Sequence, residues 1–125
     1  MLPDTVCTKG ACAYALRTWA GEHGAYGDLR AMAELANLAE VSGWDGIFLE
    51  DYIFHWAGQE TYDPWIILAA MAMRTERIRI GITVTPLSRR PWKLAREAVT
   101  LDHLSNGRII VGVGSGNGAD QILPV

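Results

Sequence analysis

The stretch Ile78-Arg79-Ile80-Gly81-Ile82-Thr83-Val84-Thr85 decides the fold of this chain. Most of its side chains are β-branched, and such residues favour the pleated, packed surface of a sheet. It therefore predicts a buried β-strand. Similar short runs at residues 13–19, 46–50 and 108–113 predict three more strands.

Three helical patterns lie between these runs. The first, bounded by a capping Asp28 and by Gly43, carries apolar residues at i, i+3, i+4 and i+7. The second starts at Asp63-Pro64 and is apolar nearly all round, which predicts a well buried helix. The third runs from about Pro91 to a stop signal at Asn106-Gly107.

The strands recur at a regular spacing. Equivalent positions at Tyr14, Ile47, Arg79 and Ile110 are separated by 33, 32 and 31 residues, with one helix in each interval. Such alternation predicts an α/β fold of parallel strands joined by right-handed crossovers. A (β/α)₈ barrel uses about 31 residues per unit, so four strands would form half of one. A small doubly wound sheet remains the alternative.

Composition excludes several classes of function. The 125 residues are 50% hydrophobic and 20% charged, with 11 basic against 14 acidic side chains and a net charge of −3. Nucleic acid and anionic membranes are therefore disfavoured as partners. The longest apolar stretch, residues 65–73, is much shorter than the roughly 18 residues of a membrane span, so we expect a cytoplasmic protein.

The two cysteines, Cys7 and Cys12, do not predict a metal site. They lack the CxxC spacing and the downstream His or Cys pair of a zinc site. We expect reduced thiols, with a disulfide between them as the alternative.

Several motifs occur in an order that resembles one known family. They are Ala33-Glu34-Leu35-Ala36, residues 43–51, Asp63-Pro64-Trp65, residues 74–81, Thr83-Val84-Thr85-Pro86, residues 89–97, residues 100–108 and residues 112–116. Together they resemble the amino-terminal half of the luciferase-like monooxygenases, over about residues 14–116.

The resemblance implies a (β/α)₈ TIM barrel that binds FMN or coenzyme F420 and carries out monooxygenation or hydride transfer on a small-molecule substrate. It implies an irregular extension at residues 1–12 and a partial barrel domain at residues 13–125. The expected protein is a truncated or half-barrel oxidoreductase. The alternative is a non-catalytic fragment that assembles with a complementary half-barrel.

Acid and base groups are expected where the second strand ends, because barrel enzymes place their chemistry at the carboxyl ends of strands. Glu50 and Asp51 stand there, followed by Tyr52 where the F420-using branch of the family commonly has His. His55 is a candidate to replace that imidazole. The alternatives are that the carboxylates satisfy helix N-termini or arginines at the rim, and that His55 is a surface residue.

Cofactor contacts are expected at the ends of the third and fourth strands. Val84 between Thr83 and Thr85 would give a flavin ring an apolar wall and polar edges, with Ser115 and Asn117 as further donors. The alternatives are ordinary strand-forming threonines and a flexible glycine-rich end. A dinucleotide-binding motif is disfavoured, because only six residues follow the glycine-rich segment 112–119.

The first and fourth strands should be open edges if the strand order follows the chain. The Ile109-Ile110-Val111 run would then expose apolar side chains and unpaired backbone groups. We expect a homo-oligomer, or a pairing with a complementary half-barrel that covers these edges.

Overall fold

The computed structural model describes residues 13–15, 28–51, 62–86 and 89–115, with residues 13–15 described by their backbone. Strands and helices alternate along the chain, which confirms the predicted α/β fold. The elements are β1 (Ala13–Ala15), α1 (Leu29–Val41), β2 (Gly46–Glu50), α2 (Pro64–Arg74), β3 (Arg79–Val84), α3 (Pro91–Leu104) and β4 (Ile109–Val113).

The strands form one parallel sheet in the order β1-β2-β3-β4. The register pairs Ile47 with Ile80 and Ile80 with Ile109. A doubly wound sheet reverses its strand order at a switch point, whereas each new strand here is added beside the previous one. Within the described residues, the doubly wound alternative is therefore wrong.

The predicted helix boundaries are confirmed by their capping groups. Asp28 and Asp63 each accept a hydrogen bond from the backbone N–H two residues later, at 2.9 and 2.8 Å. Gly43, just past α1, has φ +83°, and Gly107, just past α3, has φ +76°. Asn106 also lies in the left-handed region, with φ 55°. These conformations end the helices because they release the chain from right-handed winding.

The hydrophobic core lies between the sheet and the helices. It includes side chains without exposed surface from β2, β3, α1 and α2, namely Ala36, Ile47, Leu49, Leu68, Met71, Ile80, Ile82 and Val84. Helix α2 packs against both α1 and α3. The prediction that α2 is well buried holds for most of the helix, including Trp65, Leu68 and Met71. Ile66 and Met73 are the exceptions, at 60% and 72% exposed. None of the helices in residues 28–51, 62–86 and 89–115 has the length and apolar character needed to cross a bilayer.

Glu40 fixes the chain that leads into β3. Its carboxylate accepts hydrogen bonds from the backbone N–H groups of Glu76, Arg77 and Ile78, the shortest at 2.6 Å. Burial alone would raise the pKa of Glu40, but these three donors and the charge of Arg77 outweigh it, so its pKa lies below the ordinary value. The end of α1 is thereby tied to the amino end of β3.

Arg108 supports the same end of the sheet from a buried position. Its Nη1 donates to Thr75 Oγ1 at 2.8 Å and to Ile78 O at 3.1 Å. Its Nη2 donates to Ala72 O and Thr75 O, and its Nε donates to Ser105 O at 2.6 Å. The cation therefore donates to carbonyl groups in and just beyond the last turn of α2, where the helix dipole favours positive charge.

Candidate functional site

The two faces of the sheet divide the predicted site residues, because successive side chains of a strand point to opposite faces. One face carries the core side chains and packs against the helices. We call the other the second face, and it is formed by Gly46, Phe48, Glu50, Arg79, Gly81, Thr83, Ile110 and Gly112.

Glu50, Thr83 and Gly112 lie side by side near the carboxyl ends of three neighbouring strands. The register pairs Glu50 with Thr83 and Thr83 with Gly112, so we call these three residues the mouth row. Thr83 is exposed and Glu50 is half-buried. A Cβ added at Gly112 would lie 3.3 Å from Thr83 Oγ1, so glycine keeps the space beside this hydroxyl clear. The mouth row therefore combines a carboxyl group, a hydroxyl group and bare backbone.

Asp51 points toward the helices and pairs with Arg89. The Nε and Nη2 groups of Arg89 each donate a hydrogen bond to one carboxylate oxygen of Asp51. The Asp51 side chain has no exposed surface, and that of Arg89 is 19% exposed. The Asp51 backbone N–H also donates to Thr83 O at 2.9 Å. Asp51 thus satisfies an arginine at the rim, which is the alternative to acid-base work that the sequence left open.

Several charges act on Asp51. Burial raises its pKa above the ordinary value, and the negative charges of Asp63 and Glu97 act in the same direction. The hydrogen bonds and the positive charge of Arg89 oppose this shift without cancelling it. Without contact with solvent, this carboxylate offers no surface to a substrate.

Val84 lies on the helix side and not on the second face. It has no exposed surface, and its carbonyl accepts a hydrogen bond from the Gly114 N–H at 2.9 Å. Because side chains alternate along β3, Val84 and Thr83 point to opposite faces of the sheet. The sequence-based assignment of Val84 to the wall of a ring site stays a prediction. The backbone of Val84 ties β3 to the end of β4.

Of the remaining predicted site residues, the structure describes Thr85 and Ser115 but not His55 and Asn117. Thr85 is half-buried just beyond β3, and Ser115 is exposed two residues after β4. His55 and Asn117 lie outside the described residues, as do Tyr52 and both cysteines. Glu50 ends β2, Thr83 is the penultimate residue of β3, and Thr85 and Ser115 follow β3 and β4, so all four lie at the same edge of the sheet.

Two features of the site escaped sequence reasoning. Arg89 was part of a family motif, but nothing in its local pattern revealed that it reaches Asp51 across 38 residues of sequence. The Phe48 ring lies over Gly81, where an added Cβ would come within 2.2 Å of two ring atoms. A glycine within a β-branched strand is a signal of close approach, so Gly81 could have indicated this contact.

A groove of about 730 Å³ lies elsewhere, between α2 and α3. Its lining includes Ile66, Trp92 and Leu104, which are exposed, together with Trp65 and Glu97. Among the predicted site residues that the structure describes, none lines it. The groove is therefore separate from the mouth row.

Comparisons with known proteins identify the family of this chain. The sequence profile of the luciferase-like monooxygenases matches residues 12–123. An F420-dependent glucose-6-phosphate dehydrogenase of Amycolatopsis mediterranei is 38% identical over 97 residues, which are 74% of this chain and 29% of that protein. The chain thus spans less than a third of this relative.

Solved structures show the same fold. DmoA from Hyphomicrobium sulfonivorans matches with a TM-score of 0.72 and 26% identity, over 86% of this chain and 28% of that one. The monooxygenase RslO1 from Streptomyces bottropensis matches with a TM-score of 0.68 and 32% identity, over 80% of this chain and 32% of that one. The chain belongs to the luciferase-like monooxygenase family.

Proposed function

We propose that this chain forms the first half of a TIM barrel that acts as a flavin- or F420-dependent oxidoreductase or monooxygenase. The observation that carries the proposal is the mouth row, Glu50, Thr83 and Gly112, at the carboxyl ends of strands whose order follows the chain. The second face would become the inside of the barrel, and its carboxyl edge would become the mouth.

The groups at the mouth fit a flavin-like ring. Such a ring needs a flat space with hydrogen-bonding groups at its edge. Because Gly112 has no side chain, the space beside the exposed Thr83 hydroxyl is open. The exposed Ser115 follows β4 at the same edge of the sheet. Thr83, Thr85 and Ser115 would hold the polar edges of the ring, with Asn117 as a further donor. When bound, the cofactor supplies hydride transfer or oxygen activation.

Glu50 is the acid-base residue that this geometry favours. Of the two neighbouring carboxylates, Glu50 belongs to the mouth row, whereas Asp51 is buried against Arg89. A carboxylate beside a bound ring can accept or return a substrate proton at its Oε atoms. His55 remains a second candidate for this proton transfer.

Similar proteins point to two candidate cofactors, F420 and FMN. The Amycolatopsis relative is named for its dependence on F420. A structural neighbour, the oxygenating constituent of 3,6-diketocamphane monooxygenase from Pseudomonas putida, was solved in complex with FMN. We propose F420 as the first cofactor to test and FMN as the second, with a small molecule as the substrate.

A titration tests the proposed function. FMN and F420 are added separately to the purified chain, and binding is followed by the change in cofactor fluorescence. We expect saturable binding with one cofactor per chain or per assembled barrel, and weaker binding by Thr83→Val. Thr100→Val is the matched control, because this exposed threonine lies on α3 and bonds within its own helix. Absence of saturable binding for both cofactors contradicts the proposal.

A second candidate function is that of an assembly partner without catalysis. The exposed apolar side chains of β4, Ile110 at 37% and Val113 at 71%, favour it. A second copy or a complementary half could cover this edge and complete an eight-stranded barrel. Light scattering on the eluting chain tests this, since a stable monomer at micromolar concentration contradicts the pairing.

A further inference from the structure

We propose that Phe48 forms the apolar floor of the cofactor site and that Gly81 is the positioning residue that lets its ring lie flat. This inference rests on the proposed function, and it adds an apolar contact that the second face would supply to the cofactor. Both residues belong to the second face, on which the mouth row also lies.

The position of the Phe48 ring is fixed by two glycines. A Cβ added at Gly81 would lie 2.2 Å from ring atoms Cδ1 and Cε1 and 2.9 Å from Cζ. A Cβ added at Gly46 would lie 3.3 Å from Cε2. The ring therefore lies directly on the backbone of β3 and reaches back toward the start of β2. Any side chain at position 81 would lift it off the sheet.

The register places this ring one step below the mouth row. Phe48 pairs with Gly81, and Glu50 pairs with Thr83 two residues nearer the carboxyl ends. Ile110 stands beside Gly81 on β4 and extends the apolar surface. A ring bound at the mouth would thus meet polar groups at its edge and Phe48 beneath it, which is the environment an aromatic cofactor needs.

Because the Phe48 ring lies flat, the space above β3 and β4 stays open to a bound cofactor. Gly81 and Gly112 bring no side chains to the second face, so the space above β3 and β4 is bounded by Thr83, Ile110 and the phenyl ring. If Phe48 stood upright, its ring would occupy that space. Gly81 therefore acts on the cofactor through Phe48 and not by contact of its own.

A double-variant cycle tests this relationship with FMN and F420 as probes. The variants are Phe48→Val, which removes every ring atom but keeps a strand-forming residue, Gly81→Ala, and the two combined. We expect each single variant to lose roughly tenfold in cofactor affinity, and the double variant to lose no more than Phe48→Val. Ile66→Ala, on the helix layer, is the control and should bind as the parent does.

Unfolding in urea without cofactor provides an independent readout. Gly81→Ala should lower the unfolding midpoint in the parent background, because the added methyl group clashes with the Phe48 ring. It should not do so in the Phe48→Val background, where that ring is absent. Additive losses of stability or of affinity would overturn the positioning role of Gly81. Unchanged affinity in Phe48→Val, with a parent that binds, would overturn the floor role alone. Absence of binding by the parent would overturn the proposed function and, with it, the floor role.

Discussion

Arg89 and Asp51 form a bidentate ion pair at the carboxyl ends of the strands. The pair links the loop after β2 to the loop before α3. Asp51 follows β2, and Arg89 immediately precedes the N-cap of α3. Because the Asp51 N–H also bonds to the Thr83 carbonyl, the pair holds the end of β2 against the end of β3. The mouth row rests on this connection.

Removing Arg89 should be costly. Arg89→Met leaves the carboxylate of Asp51 buried without a partner, so we expect a loss of about 3 kcal/mol in the free energy of unfolding at pH 7. Urea denaturation followed by circular dichroism measures the loss. The double variant Asp51→Asn/Arg89→Met should be more stable than Arg89→Met alone. Equal stability of the two would show that no uncompensated charge remains at Asp51.

Glu40 should make stability depend on pH. Because folding lowers its pKa below the ordinary 4.5, its contribution is present above pH 4.5 and is lost as the pH falls through the folded value. Glu40→Gln should therefore be about 2 kcal/mol less stable than the parent at pH 7. The difference should shrink when the urea midpoint is measured at progressively lower pH below 4.5.

The matched control for this experiment is Glu34→Gln. Glu34 lies on the same helix and forms an exposed ion pair with Arg74, so its removal should have little effect at any pH. A Glu40→Gln variant that behaves like Glu34→Gln would contradict the role given to the three backbone donors.

Arg108 should not be replaceable by lysine. Its guanidinium satisfies acceptors in five directions, and an ammonium group has only three donors on one atom. We expect Arg108→Lys to lose about 3 kcal/mol of unfolding free energy, measured by urea denaturation. Arg79→Lys, at an exposed position on β3, is the control. A comparable loss in both variants would contradict the account.

The fold was largely predictable because the alternation of strands and helices depends on local sequence patterns. The caps at Asp28 and Asp63 and the left-handed Gly43 and Gly107 depend on their own segments alone, and the structure confirms them. The regular spacing of the strands and the resemblance to the family led to the same parallel sheet. Burial of individual helix faces was harder, as the exposed Ile66 shows, because it depends on which neighbours cover each helix.

The site was less predictable because it depends on contacts between distant segments. The sequence predicted Glu50 and Thr83 near the carboxyl ends of their strands and grouped Val84 with its two neighbouring threonines around one ring. Alternation instead sends Val84 and Asp51 to the helix side. The Arg89 partner of Asp51 and the Phe48 ring over Gly81 arise only when the strands are in register.

The β4 edge should govern assembly. Val113→Lys places a charge on an exposed edge residue, and such charges oppose the addition of another strand. With the proposed assembly of the parent, we expect the variant to elute as a smaller species in size-exclusion chromatography with light scattering. Val99→Lys, at a similarly exposed apolar position on α3, is the control and should keep the size of the parent.

The most direct test of a cofactor site at the mouth row is amide hydrogen exchange with and without F420 or FMN. We predict that bound cofactor slows exchange at residues 83–85 and 112–115 and leaves residues 74–79, at the opposite end of the sheet, unchanged. Protection confined to the groove between α2 and α3, or spread evenly over both ends of the sheet, would contradict a site at Glu50, Thr83 and Gly112.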